Sequence, residues 1–336
     1  MATLKQVAAH AEVSVQTVSN ALNAPHRLRP DTLERVNRSI ELLNYRPNRN
    51  ARSLRTSAVE LIGYCVPNWP NQTHLVMDQF LHALCAAAER TGRHILLFTA
   101  PPGVDGMPTY DDLHARRLVD GFVLSQTETR DPRHGWLKDQ DIPFVSFGRV
   151  WKETRQPGPW VDVDGAAGSE LAVRHLYETG RRRIAFLGWP KSSGLGEDRI
   201  GGWRAGCKSL GLPTTGLAVR CREDSIEEGA RATASLLDSG PEIDGIVALS
   251  DILALGALRE LTRRGRIPGR EIGVTGFDDS PLAEVVSPGL TSFRQPMDQI
   301  AEELIAILTG PSAGEGRPAE RLLQPELVIR GSSAPG

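Results

Sequence analysis

The sequence predicts an all-α head of three helices in a helix-turn-helix arrangement and a short hinge helix. These are joined to an α/β body of two Rossmann-like subdomains. Three patterns carry that expectation. Through residue 44, apolar residues recur at one-turn spacing, interrupted by capping residues. Residues 47–55 open on a proline and intersperse Arg49, Arg52 and Arg55 with Ala51 and Leu54. From Ala58 onward, short apolar runs alternate with amphipathic stretches, as in parallel sheets covered on both faces.

The first helix starts at Thr3, whose hydroxyl can cap it, with Gln6 three residues on to complete a capping box. Leu4, Val7 and Ala8 follow at helical spacing, and the pattern breaks at Ala11-Glu12-Val13. Ser14 caps a second helix, in which Val18, Ala21 and Leu22 form the inward stripe and Val15, Gln16, Ser19 and Asn20 face outward. Two helices of about two turns joined by a tight turn are the arrangement whose second member enters the DNA major groove. That spacing alone also fits any small helical hairpin. A third helix, Pro30 to Asn44, puts Leu33, Val36, Ile40 and Leu43 on one face and closes the head. The stretch from Pro47 to Arg55 is too short to be a stable helix by itself, so it orders only with outside help.

Charge is divided unevenly. The chain has 336 residues and a net charge of −2, yet residues 1–59 hold nine Lys and Arg against four Asp and Glu. A basic head on an acidic body suits a polyanionic partner for the head alone. Cys65, Cys85, Cys207 and Cys221 are scattered without metal-ligand spacing, which fits reduced thiols in a cytoplasmic protein and no bound metal. No secretory apolar segment opens the chain and no apolar run approaches 18 residues, so neither export nor a membrane span is expected.

In the body, strands are expected at 61–67, 94–98, 121–125, 143–147, 160–164, 183–188, 217–221, 245–250 and 272–277. Helical stretches include His74–Thr91, Gly165–Thr179, Asp251–Arg264 and Met297–Leu308. The breaker-rich Arg155-Gln156-Pro157-Gly158-Pro159 is the expected boundary between subdomains. Ligands of such sheets gather beyond the carboxyl ends of the strands. That rule selects Pro67–His74, Ser125, Phe147, Trp189–Arg199, Ser250-Asp251 and Asp278-Asp279. Two carboxylates and a guanidinium in one cleft suit a polyhydroxylated ligand, and Trp69, Trp189, Phe147 or Met297 can supply an apolar wall or simply pack. Enzymatic readings fare poorly. No GxGxxG, Walker lysine or HExxH pattern is present, and Asp278 and Asp279, adjacent at a strand end, are poorly placed to face one substrate.

Taken together, TLKQVAAHAEVSVQTVSNALN, the NYRPN turn and ARSLR resemble the LacI/GalR family of bacterial transcription regulators, and the likeness extends over the body. The resemblance implies a regulator, in the main a repressor, whose operator affinity is controlled by a small effector such as a sugar. Its partners would be a palindromic operator and a second copy of itself as a homodimer, with no cofactor and no membrane. It implies base-edge reading by Val15, Gln16 and Asn20, and phosphate contacts by Ser14, Thr17 and Ser19. Thr3, Leu4, Asn23, Arg27, Arg29, Thr32, Tyr45 and Asn48 complete the DNA set. Ala51, Arg52 and Leu54 form a hinge helix whose leucine wedges into the minor groove. Glu12 departs from the family's glycine at a position expected to be left-handed, and Arg29 replaces the usual Ser or Thr cap before Pro30. In the body the resemblance assigns the effector to Arg199, Asp251, Asp278, Asn71, Ser125 and Phe147, with Asp251 and Arg199 on the ligand side, remote from DNA. Like periplasmic sugar-binding proteins, the body would cross between lobes three times. The domains would then be 1–46, 47–57 and 58–330, the last split into about 58–157 plus 292–318 and 158–290 plus 319–330. No leucine heptads follow Ile329, so a dimer rather than a tetramer is expected. Two other readings stay open: a ligand-binding module whose head no longer binds DNA, and a repressor indifferent to any effector.

Overall fold

A computed structural model describes residues 2–45, 59–66, 75–153, 155–239, 242–310 and 319–334. The chain divides into two compact units, Met1–Val59 and Glu60–Gly336. The hinge positions Ala51, Arg52 and Leu54, together with Asn48, Trp69 and Asn71, lie outside the described residues.

The head is built from α1 (Leu4–His10), α2 (Val15–Asn23) and α3 (Pro30–Leu42). Both halves of the first capping box form. Thr3 Oγ1 accepts the Gln6 N–H at 3.3 Å, and Gln6 Oε1 accepts the Thr3 N–H at 2.8 Å. Ser14 Oγ accepts the Thr17 N–H at 3.0 Å and so starts α2. Between these helices Glu12 has φ 52°, the left-handed backbone expected there. A short 3-10 turn, Pro25–Arg27, leads into α3, which begins on Pro30 with no side-chain cap from Arg29. The third helix ends at Leu42 rather than Asn44, because Asn44 turns to φ 45°. Val7, Ala8, Ala11, Val18, Ala21 and Val36 are buried at the centre, with Leu33, Ile40, Leu43 and Tyr45 packed around them. His10 Nδ1 and Ser39 Oγ, 3.0 Å apart, join the first helix to the third.

In the body, β1 (Leu61–Cys65), β2 (His94–Phe98), β3 (Gly121–Leu124), β4 (Phe144–Phe147), β5 (Trp160–Val163) and β11 (Glu320–Leu323) form a parallel sheet in the order β11-β5-β4-β3-β1-β2. A second parallel sheet has the order β7-β6-β8-β9, from β6 (Ile184–Gly188), β7 (Ala218–Arg220), β8 (Gly245–Ala248) and β9 (Gly273–Thr275). Every residue of β3, β5, β6 and β8 is buried, which is why these segments read as continuous apolar runs rather than alternating ones. The edge strand β2 is partly exposed. Helices α4 (Leu75–Arg90), α5 (Met107–Ala115), α6 (Pro132–Asp139) and α12 (Met297–Thr309) belong to the first lobe. To the second belong α7 (Gly165–Glu178), α8 (Gly194–Ser209), α9 (Ile226–Ser239), α10 (Asp251–Arg263) and the short α11 (Pro281–Val285).

The lobe boundaries differ from the sequence-based expectation. The expected division puts residues 160–163 and 320–323 in the second lobe, yet both strands pair within the first sheet. The boundary therefore falls after Val163 rather than in the 155–159 loop, which is only the turn between β4 and β5. The chain returns between β10 (Ser292–Arg294) and α12, and leaves again between β11 and β12 (Glu326–Val328), which pairs antiparallel with β10. Asp164 marks one crossing and Gln324 another, and the Gln324 Nε2 donates to Asp164 Oδ2 at 3.3 Å. Proline or aspartate at each crossing stops the preceding strand and lets the backbone turn out of the sheet.

Candidate functional site

Two surfaces are candidate sites, one on each unit. On the head, the first turn of α2 holds Val15 at 41% exposure, an apolar side chain with no core to enter. Gln16 is exposed beside it and donates through Nε2 to Asn20 Oδ1 at 3.1 Å. One helical turn separates the two amides, so they present a linked pair of donors and acceptors along one face. Ser14 Oγ and Thr17 Oγ1 lie 2.8 Å apart at the helix start. Ser19 is half-buried on the same helix, and Asn23 is its last residue. Arg27 and Arg29 are exposed around the turn into α3, and Thr32 is half-buried in its first turn. Leu4 and Tyr45 pack at the rim of the head core, and Thr3 is held in its capping box.

In the body, Arg199 is the hub. It lies in the second turn of α8, 3% exposed, and its Nη1 donates to the Leu249 carbonyl at 2.5 Å. Its guanidinium carbon stands 3.6 Å from the centroid of the Phe277 ring, and Nη2 is 4.0 Å from Asp278 Oδ1. Nε has no partner. The helix can bring Arg199 so far in because α7 begins with Gly165; a Cβ there would meet Arg199 Cγ at 2.9 Å and Asp198 Oδ2 at 3.2 Å. Burial lowers the Arg199 pKa from its ordinary value, against the charges of Asp278, Asp162, Asp198 and Asp224.

The two adjacent aspartates at the end of the second sheet part company, as their sequence adjacency implied. Asp278 turns toward Arg199 and accepts the Gln295 Nε2 at 2.7 Å, whereas Asp279 binds Arg294 and Arg330, each at 2.7 Å. Both have left-handed backbones, φ 114° and 47°. Such conformations cost about 1–3 kcal/mol each. The Asp279 ion pairs and the Asp278 N–H to Phe293 carbonyl bond of 2.8 Å hold them there. Burial raises the Asp278 pKa well above the usual carboxylate range, outweighing Arg199.

Asp251 stands next in this network, but its oxygens are spoken for. Oδ2 accepts the Ser280 N–H at 2.7 Å and Oδ1 accepts the Ser292 hydroxyl at 2.5 Å. Burial pushes its pKa up to about 6, partly offset by those two bonds. Ser250, before it, caps α10 through the Leu253 N–H and donates to Asp224 Oδ1 at 2.5 Å. Ser125 and Phe147 do sit at strand ends, yet they engage the first lobe. Ser125 Oγ is 3.0 Å from the Tyr64 hydroxyl, and Phe147 packs on Phe80 at 4.7 Å.

Several polar groups of the cluster escaped the sequence reading. Asp224 follows β7 and Arg149 follows β4, so the strand-end rule covers both once it is applied to every strand, whereas Asp162 lies inside β5. Asp198 falls within the Trp189–Arg199 stretch that the rule already selects, whereas Gln295, at a lobe crossing, carries no signal of its own. Among the described residues no group of His, Cys, Asp and Glu is arranged to hold a metal, and no described helix is long and apolar enough to cross a membrane.

Comparison with known proteins finds a match to each unit. Residues 3–48 match the family model for bacterial regulatory proteins of the lacI family, and residues 173–333 match a periplasmic binding protein-like domain. The HTH-type transcriptional regulator CelR of Thermobifida fusca is 32% identical over 98% of both chains. A crystal structure of the lac repressor dimer bound to operator and an anti-inducer superposes with a TM-score of 0.83 at 26% identity, covering 99% of each chain. A CelR–cellobiose complex superposes with a TM-score of 0.74 at 29% identity, over 99% of this chain and all of the other. Because that likeness runs through head and body alike, the chain belongs to the lacI family of bacterial regulatory proteins, DNA-binding transcription regulators with a helix-turn-helix head and a periplasmic-binding-protein-like body.

Proposed function

We propose that the protein represses transcription as a homodimer on a near-palindromic operator, and that a small sugar bound between the two lobes of the body controls its affinity for that operator. The observation that carries this reading is the buried Arg199, which meets Asp278 with its Nε unpartnered at the carboxyl ends of the second sheet. A guanidinium donates in a fixed fork, and the Asp278 carboxyl beside it can accept from a hydroxyl or, when protonated, donate to one, the complement of a polyol. The Phe277 ring under Arg199 keeps that guanidinium in place without consuming its donors.

On the DNA side, Val15, Gln16 and Asn20 read bases. An amide side chain can make two hydrogen bonds to adenine, and a valine can meet a thymine methyl. Ser14, Thr17 and the exposed Arg27 and Arg29 hold phosphates and set register. Ala51, Arg52 and Leu54, which lie in the hinge segment of the sequence, act at the operator centre. Relatives support the two halves of the reading separately: the lac repressor structure is a complex with operator, and the CelR structure is a complex with cellobiose.

The test is a thermal-shift panel of mono- and disaccharides, cellobiose and ribose first, on the full-length protein, followed by duplex-DNA binding with and without each stabilising sugar. A bound sugar raises the melting temperature by mass action and changes operator affinity. A panel in which no sugar shifts the melting temperature and DNA binding proceeds unaltered would refute the effector half. DNA binding that does not weaken with salt would refute the operator half.

A further inference from the structure

Arg149 and Trp151 leave the first lobe just beyond the carboxyl end of β4 and finish against the second. The Arg149 Nε donates to Asp162 Oδ2 at 2.7 Å, within the first lobe, while its Nη2 reaches Asp198 Oδ2 of α8 at 3.4 Å. Its guanidinium carbon is 4.7 Å from the centroid of the Trp151 ring and 5.7 Å from that of Trp160, so the cation is bracketed by two indoles. The Trp151 ring in turn covers Gly194, the first residue of α8, so closely that a Cβ at Gly194 would fall on the ring and on the Trp151 Cβ. The Trp151 carbonyl accepts the Arg130 N–H at 3.4 Å, which ties the backbone at Trp151 to the first lobe. One ionic contact and one van der Waals contact thus join the same loop of one lobe to the same helix of the other.

We propose that Arg149 and Trp151 form a latch that ties the two lobes together beside the cleft and restrains the opening through which an effector is exchanged. The effector itself belongs to the reading above, and the latch concerns how that site is regulated. Parting the lobes must lift the indole off Gly194 and stretch the Arg149–Asp198 contact, but it leaves Arg149 on Asp162. The guanidinium therefore keeps a counter-charge, while Asp198 keeps the Ala166 N–H at 3.1 Å and turns toward solvent, so the opened latch leaves no charge buried alone. Its apolar half depends on the absence of a side chain at position 194. Any Cβ there pushes the indole away.

Amide hydrogen exchange on the full-length protein, with no sugar present, tests the latch. Trp151→Ala removes it from the first lobe and Gly194→Ala dislodges it from the second. Each is expected to speed exchange at Gly196–Arg199 by about tenfold or more while amides of β6 and β8 keep their rates. Trp151→Phe, which retains a ring on Gly194, stays near the wild type. Unchanged rates at Gly196–Arg199 in Gly194→Ala, or equal acceleration of every body amide in both variants, would overturn the latch. Neither result bears on sugar binding, and a sugar panel without a hit would leave the exchange pattern standing.

Discussion

The Asp251 carboxylate and the Ser292 hydroxyl meet at 2.5 Å, joining the start of α10 to β10 across the second lobe. With the Ser280 N–H bound to its other oxygen, Asp251 is a buried brace between three segments that are distant in sequence. A role toward the effector alone does not fit that arrangement. Asp251→Ala leaves a buried N–H and a buried hydroxyl without an acceptor, a loss of about 2–4 kcal/mol. The variant is expected to melt well below the wild type with no ligand present. An unchanged melting temperature, measured by calorimetry, would return Asp251 to a purely ligand-facing role.

The contrast with the head shows what a sequence makes legible. Thr3 with Gln6 and Ser14 with Thr17 act within one helical turn, so the residues that start each helix are visible in the string itself. Arg199 and Asp278 were found because strand ends are where such sheets bind, a rule that needs only the strands. The pairing of β11 with β5 joins residues about 160 positions apart, and Glu320-Arg321-Leu322-Leu323 carries two charges that disguise a strand. Its lobe could not be read locally. The same holds for Asp251, whose partners Ser280 and Ser292 arrive from elsewhere in the chain, and for Trp151, whose contact on Gly194 exists only once two lobes meet.

Asp278 should make stability depend on pH in a defined direction. Its pKa is raised in the folded protein, so the folded state holds a proton that the unfolded state has already released. Stability from this group is complete below the unfolded carboxylate pKa and is lost as pH rises through the raised folded value. Asn cannot titrate. The melting temperature of Asp278→Asn relative to the wild type should therefore climb as the pH rises above the unfolded carboxylate pKa of about 4, whatever its sign at lower pH. A difference that stays flat, or falls, over that range would contradict the burial of an ionising carboxyl at this position.

At Glu12 the left-handed φ of 52° is carried by a residue with a Cβ. Glycine occupies that region without the penalty, which is about 1–2 kcal/mol for an L-residue, although it loses more chain entropy on folding. Glu12→Gly is expected to stabilise the head by about 0.5–1 kcal/mol. Because the residue sits in the turn between α1 and α2 and is exposed, its removal should leave DNA affinity nearly unaltered apart from the change in charge. Denaturant unfolding followed by helix signal checks the sign, and a destabilised variant would mean that the turn gains more from the glutamate than its backbone costs.

Reading and bending should separate genetically. Gln16 lies exposed on α2, hydrogen-bonded to Asn20, where an amide can be shared between a base edge and its neighbour. Gln16→Ala is expected to weaken binding by about 1–3 kcal/mol and to relax preference at one base pair in each half-site, because a single bidentate contact carries that much discrimination. In the proposed interface Leu54 would act through deformation of the operator centre, where the energy depends on how easily a step unstacks and no donor or acceptor is read. Leu54→Ala is therefore expected to reduce the dependence on the central step while half-site preferences persist. Selection of bound duplexes from a randomised pool, run on both variants and the wild type, supplies the measurement. If the two substitutions lowered affinity for every sequence by the same factor, neither residue would hold the position in the interface assigned to it here. If Gln16→Ala altered the centre and Leu54→Ala the half-sites, the two roles would have to be exchanged.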